Sequence, residues 1–150
     1  MLLDWALASL HHLAIFTLAA ILAFELALTA SEVDGKAVLR LARIDAWYGV
    51  MVAVVLAVGA SRVMLGAKGP EYYMANAYFW TKMALFAAVG ALSIAPTLRY
   101  LAWRRAVRAD PMFRPDETAV RFVRNALWAE VALFAGLPLC AAAMARGFGA

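Results

Sequence analysis

Residues Trp5 to Phe24 read WALASLHHLAIFTLAAILAF, twenty residues without Asp, Glu, Lys or Arg. At a rise of about 1.5 Å per residue such a run spans the roughly 30 Å hydrocarbon layer of a bilayer. The stretch therefore predicts a membrane-crossing helix, and the rest of the chain repeats the signal. A second apolar run extends from Ala46 to Ser61, and to Gly66 if Arg62 snorkels toward the interface. A third covers Tyr72 to Leu98 with one charge, Lys82, and a fourth covers Asn125 to Ala145 with one charge, Glu130. The reading is an all-α, four-transmembrane-helix bundle in one domain over 1–150, with spans near 5–30, 44–66, 72–98 and 122–145.

The punctuation between the runs agrees. Ser31-Glu32-Val33-Asp34-Gly35 reads as a turn, and Gly66-Ala67-Lys68-Gly69-Pro70 as a break. Arg99 to Arg124 is polar and charged, and Pro111 and Pro115 mark it as a loop. Pro96 and Pro138 fall inside apolar runs, where a membrane helix tolerates a kink. Composition points the same way: 66% of residues are hydrophobic and the mean hydropathy is +0.76, well above a soluble domain.

The formal charge of +4 does not signal a nucleic-acid partner, because the basic residues sit in loops between apolar runs. They orient the chain instead. The first loop holds Lys36, Arg40 and Arg43; the third holds Arg99, Arg104, Arg105, Arg108, Arg114, Arg121 and Arg124. Only Arg62, Lys68, Lys82 and Arg146 lie elsewhere. Loops one and three are expected in the cytoplasm, with both termini on the outer side. The N-terminus opens on Asp4 without a basic region and its apolar run is too long for a cleavable signal. The lone Cys140 reads as a small buried residue, and no Cys-x-x-Cys motif suggests zinc or thiol redox chemistry.

Ionisable groups at membrane depth are rare and are functional candidates. Topology sorts them into two layers. An outer layer holds His11, His12, Arg62 and Lys82, and an inner layer holds Glu25, Arg43, Asp45, Arg124 and Glu130. Along the first helix His11, Ile15, Leu18, Leu22 and Glu25 share one face, with roughly 21 Å between the ends. His12 lies about 100° around, with Phe16, Ala19 and Ala23, on a face suited to packing a helix or another subunit. Glu25, Asp45 and Glu130 are expected to form a charge cluster with Arg43 or Arg124. Trp5, Trp47, Tyr48, Tyr72, Tyr73, Tyr78, Trp80, Trp103 and Trp128 read mostly as interfacial belts.

Leu10-His11-His12-Leu13-Ala14-Ile15 resembles the Leu-His start of the HemJ-type membrane protoporphyrinogen oxidases. Trp80-Thr81-Lys82-Met83 resembles their third span, and Arg121-Phe122-Val123-Arg124 with Glu130-Val131 resembles the elements before their last span. Val131-Ala132 replaces their Val-Pro, and the chain is identified as closer to a sister family of uncharacterised four-helix bacterial inner-membrane proteins. The resemblance implies a haem b site or a haem-related redox role, with His11 matching the family histidine and Lys82 the family lysine.

The chemistry bears on that expectation independently. Imidazole is an axial ligand for haem iron. Adjacent helical histidines point about 100° apart and cannot sandwich one haem, so a bis-His site needs a second copy of the chain. Otherwise the iron is five-coordinate or takes Lys82, a methionine such as Met83, or an external ligand. Arg62 and Lys82 suit haem propionates. Two other classes stand beside the haem protein. One is a non-enzymatic subunit, packed in the bilayer as a homodimer or within a larger membrane complex. The other is a small transporter or proton relay using Glu25, Asp45 and Glu130. No catalytic residue set follows from the pattern.

Overall fold

The computed structural model describes residues 1–149. Six helices follow in order: α1 (Leu2–Ala30), α2 (Gly35–Leu65), α3 (Gly69–Ala75), α4 (Ala77–Ala109), α5 (Glu117–Phe134) and α6 (Gly136–Ala145). No strand occurs among the described residues. Four helical segments are long and apolar enough to cross a membrane: α1, α2, α4, and α5 with α6 together.

The helices outrun the apolar stretches where amphipathic ends are capped. Asp34 caps α2 by accepting from Ala37 N at 2.8 Å. The helix therefore starts well before the second apolar run. Its first turns bury Val38, Leu41, Ala42 and Asp45 while Lys36, Arg40 and Arg43 stay exposed, a helical spacing of three and four. Likewise α4 continues through much of the expected third loop to Ala109. Tyr100 and Trp103 are buried there, and Arg99, Arg105 and Arg108 point outward. The loop that remains is short.

The expected third span divides at Asn76. This residue is fully buried; its Oδ1 accepts from Tyr78 N at 3.0 Å and Phe79 N at 3.3 Å, capping α4. Its Nδ2 donates to Phe148 O at 3.0 Å, which ties the C-terminal end to the start of α4. The fourth span divides at Ala135. Pro138 has no N–H to donate to the carbonyl of Phe134, so the ladder is interrupted there.

Packing forms a ring: α1 against α2, α2 against α4, α4 against α5, and α5 against α1, with α6 on α4. The core includes Leu18, Leu22, Leu41, Val55, Tyr100, Val123 and Leu127. Outside, Phe16, Phe24, Leu56, Ile94 and Leu139 are exposed, an apolar surface suited to lipid. Trp5, Trp47, Trp80 and Trp128, expected as belt residues, are exposed. Tyr48 and Trp103 depart from that expectation, since both are buried in the core.

At the start of α5 the fully exposed Asp116 caps the helix. The Thr118 hydroxyl, chiefly, holds its carboxyl below the ordinary carboxylate range, with backbone N–H groups of Thr118, Ala119 and Glu117 adding to the effect. A lowered folded value means that the cap's contribution is in place above the ordinary range. It is lost as pH falls through the lowered value. Asn at this position still caps but does not titrate. Unfolding followed from neutral to acid pH should show an acid-side loss in the wild type that Asp116→Asn lacks. Identical acid profiles would contradict the assignment.

Candidate functional site

Three carboxyl side chains converge inside the bundle from three helices. Glu25 comes from α1, Asp45 from α2 and Glu130 from α5, with 2%, 8% and 1% of their surface exposed. Asp45 and Glu130 both lie within electrostatic reach of Glu25. Each sits on the inward face that helical spacing assigns it. Glu25 follows buried Leu18 and Leu22 along α1, and Glu130 follows Val123 and Leu127 along α5.

Hydroxyl groups complete the cluster. Tyr48 OH donates to Glu130 Oε2 at 3.5 Å, a long contact, and Thr97 Oγ1 donates to Asp45 Oδ1 at 2.7 Å. Tyr100, without exposed surface, turns its hydroxyl toward Glu25. That hydroxyl makes no hydrogen bond of good geometry, and Oε1 of both Glu25 and Glu130 is likewise buried without a partner. Buried polar atoms are normally satisfied, so three unsatisfied oxygens in one cluster are exceptional. Each is a free acceptor or donor facing the bundle interior.

The expected arginine partners are elsewhere. Arg43 is exposed, because two residues before Asp45 is about 200° around the helix. Arg124 is half-buried, but its Nη1 donates to Thr29 O at 3.2 Å. It satisfies a carbonyl at the C-terminal end of α1, where the last turn lacks intrahelical donors. Among the described residues the one ion pair joins Arg114 to Glu32 at the bundle end. The structure brings the three acids together without the two cations. Tyr48, Thr97 and Tyr100 were not foreseen as members. The usable signal was spacing, since Tyr48 is three residues past Asp45 and Tyr100 three past Thr97.

The outer layer is sparser. His11 is buried on α1 and its Nδ1 has no partner. A Cβ on Gly59 would stand 3.3 Å from His11 Cε1, so the missing side chain on α2 makes room for the imidazole. Arg62 and Lys82, both half-buried, lie within electrostatic reach of His11. His12 is exposed; its ring is turned 82° from that of His11, and its Nδ1 lies 2.6 Å from Ala8 O. Between the layers, the same face of α1 carries buried Ala14, Leu18 and Leu22. On this face the stretch of α1 between the histidine and the acids is therefore apolar and buried.

Among the described residues no three His, Cys, Asp or Glu side chains are arranged to hold a metal ion. A family model described as predicted membrane protein (DUF2214) matches residues 3–149. No curated protein and no solved structure matches the chain. The likeness to the HemJ-type oxidases therefore rests on its short motifs alone.

Proposed function

The chain belongs to the DUF2214 family of predicted membrane proteins, and we propose that it handles protons through the buried carboxyl cluster. One observation carries the reading. Glu25, Asp45 and Glu130 share an interior site without an Arg or Lys ion pair, and Tyr48, Thr97 and Tyr100 surround them. Any charge there is balanced by protons or by a cation from outside the chain. Carboxyl and hydroxyl groups in contact pass protons by exchanging hydrogen bonds, and intramembrane acids serve as such relays. The free oxygens of Glu25, Glu130 and Tyr100 are where a proton or a bridging water fits.

The cluster lies toward the end bearing loops one and three, and buried Ala14, Leu18 and Leu22 lie between it and His11 on α1, which we read as an apolar seal. Proton exchange occurs with the loop side first, and passage to the outer layer requires the seal to open. Proteoliposomes carrying an imposed pH gradient test the function. The protein is expected to dissipate the gradient faster than empty vesicles. Equal rates would remove the relay reading.

We place loops one and three in the cytoplasm of a bacterial inner membrane on the distribution of basic residues. A reporter fused after residue 150 should then be active only if it is a periplasmic one. Activity of a cytoplasmic reporter at that position would reverse the topology.

A second reading assigns haem b to the outer layer. It is favoured by the unpartnered Nδ1 of buried His11, with Arg62 and Lys82 beside it. A single imidazole would be available as a ligand, because His12 faces outward with its Nδ1 against Ala8 O. His11 would supply that ligand and the two cations would pair with propionates; the haem itself brings one-electron chemistry. This reading expects a Soret band that His11→Ala abolishes and His12→Ala keeps, with weaker haem retention in Lys82→Ala. Colourless protein from haem-supplemented cells would dismiss it.

A further inference from the structure

A cavity of about 450 Å³ opens where the turn after α1 meets the start of α5. Arg114, Arg121 and Arg124 line it, together with the acids Glu32 and Glu117. We propose that this cavity binds a phosphate group, as carried by an anionic lipid headgroup or by free phosphate. The proposal stands apart from the carboxyl cluster and its function.

Charge is the first argument. Three guanidinium groups face two carboxylates, and one pair, Arg114 with Glu32, is already joined. Among the described residues Arg121 has no carboxylate within ion-pair distance, although Glu117 stands one turn away. Nor has Arg124, so two guanidinium groups and the Glu117 carboxylate are left unpaired, and the cavity keeps one net positive charge for a ligand. Geometry is the second. Arg121 and Arg124 are three residues apart and share a face of α5. The hydrogen bond of Arg124 Nη1 to Thr29 O anchors that guanidinium and leaves its other N–H groups to donate elsewhere. Arg114 is likewise positioned by Glu32. Held guanidinium forks are the side chains that best match the oxygens of a phosphate.

Placement and lining favour lipid as the source. The cavity sits at the end of two spans, where headgroups lie in a bilayer, and that end carries the basic loops. Val33 and Val120 also line it, giving apolar contact for a glycerol backbone beside the charged groups. The volume falls in the range of small-molecule sites.

The test uses the full chain in detergent. Its unfolding temperature is followed while phosphatidylglycerol, phosphatidylcholine or inorganic phosphate is added. Phosphatidylglycerol is expected to raise the unfolding temperature saturably, with phosphatidylcholine giving little. Arg121→Gln should weaken the half-saturating concentration about ten-fold, as loss of one charge-assisted bond does. Arg121 is exposed, so this variant should fold. Arg40→Gln, another exposed arginine outside the cavity, should leave the response unchanged. A shift with phosphatidylglycerol alone assigns the lipid, and a matching shift with inorganic phosphate assigns the free anion. No saturable shift with either, or equal weakening by Arg121→Gln and Arg40→Gln, overturns the site.

Discussion

Replacing Glu25 and Glu130 together by glutamine is expected to cut gradient dissipation in proteoliposomes by about 100-fold, while the helical fold survives. The magnitude is the lower end of what a positioned acid–base group contributes to proton transfer. Glutamine keeps the shape of glutamate, and its carbonyl oxygen still accepts from Tyr48 OH at the position of Glu130 Oε2. What it removes is the exchangeable proton. Neither acid has an arginine or lysine ion partner, so the exchange leaves no buried cation stranded, the usual reason that such variants unfold. Circular dichroism in detergent should therefore match the wild type. Full flux in the folded double variant would take the cluster out of the proton path.

The second large effect concerns Tyr100. Its side chain has no exposed surface and its ring packs on Trp103 with centroids 5.9 Å apart. Tyr100→Ala should cost about 2–4 kcal/mol, chiefly through the cavity left in the core. The figure falls below that for a soluble core because lipid contributes little of the aqueous transfer term. Tyr100→Phe separates packing from chemistry. The hydroxyl has no hydrogen bond of good geometry, so removing it should change stability by less than about 1 kcal/mol. The same variant should still slow proton dissipation, because the hydroxyl faces Glu25. Denaturant unfolding in detergent, paired with the vesicle measurement, reads both. A strongly destabilised Tyr100→Phe would mean that the hydroxyl is a structural bond.

Much of the fold was legible because a spanning helix is announced by length and by the absence of charge. The stretch from Trp5 to Phe24 is enough for α1, and three more runs give the bundle. The helix ends were harder to read. The start of α2 and the end of α4 are amphipathic, and clustered Lys and Arg hide the buried Val38, Leu41, Tyr100 and Trp103 between them. Asn76 inside an apolar run carries the opposite difficulty. One polar residue gives no warning of a break until its side chain is seen capping α4 and holding Phe148.

The site was legible in part, for the same reason. Helical phase places Glu25 and His11 on one face of α1, and burial agrees with that phase for both. Opposite charge is a poor guide to partners by comparison. Arg43 stands two residues from Asp45 and lies on the far side of α2, while Arg124 is taken by a carbonyl at the end of α1. Tyr48 near a span end looks like a belt residue, and only the packing of α2 in the bundle turns it inward to Glu130. The adjacent histidines divide in the same way: one is closed against Gly59 and the other faces out.

The proposed proton exchange at the carboxyl cluster is tested most directly by infrared difference spectroscopy of the protein in lipid as pH is stepped. Carboxyl bands that appear on acidification and shift in heavy water are expected, with separate losses in Glu25→Gln and Glu130→Gln. A spectrum without pH-dependent carboxyl bands, or one that both variants leave untouched, would contradict the account.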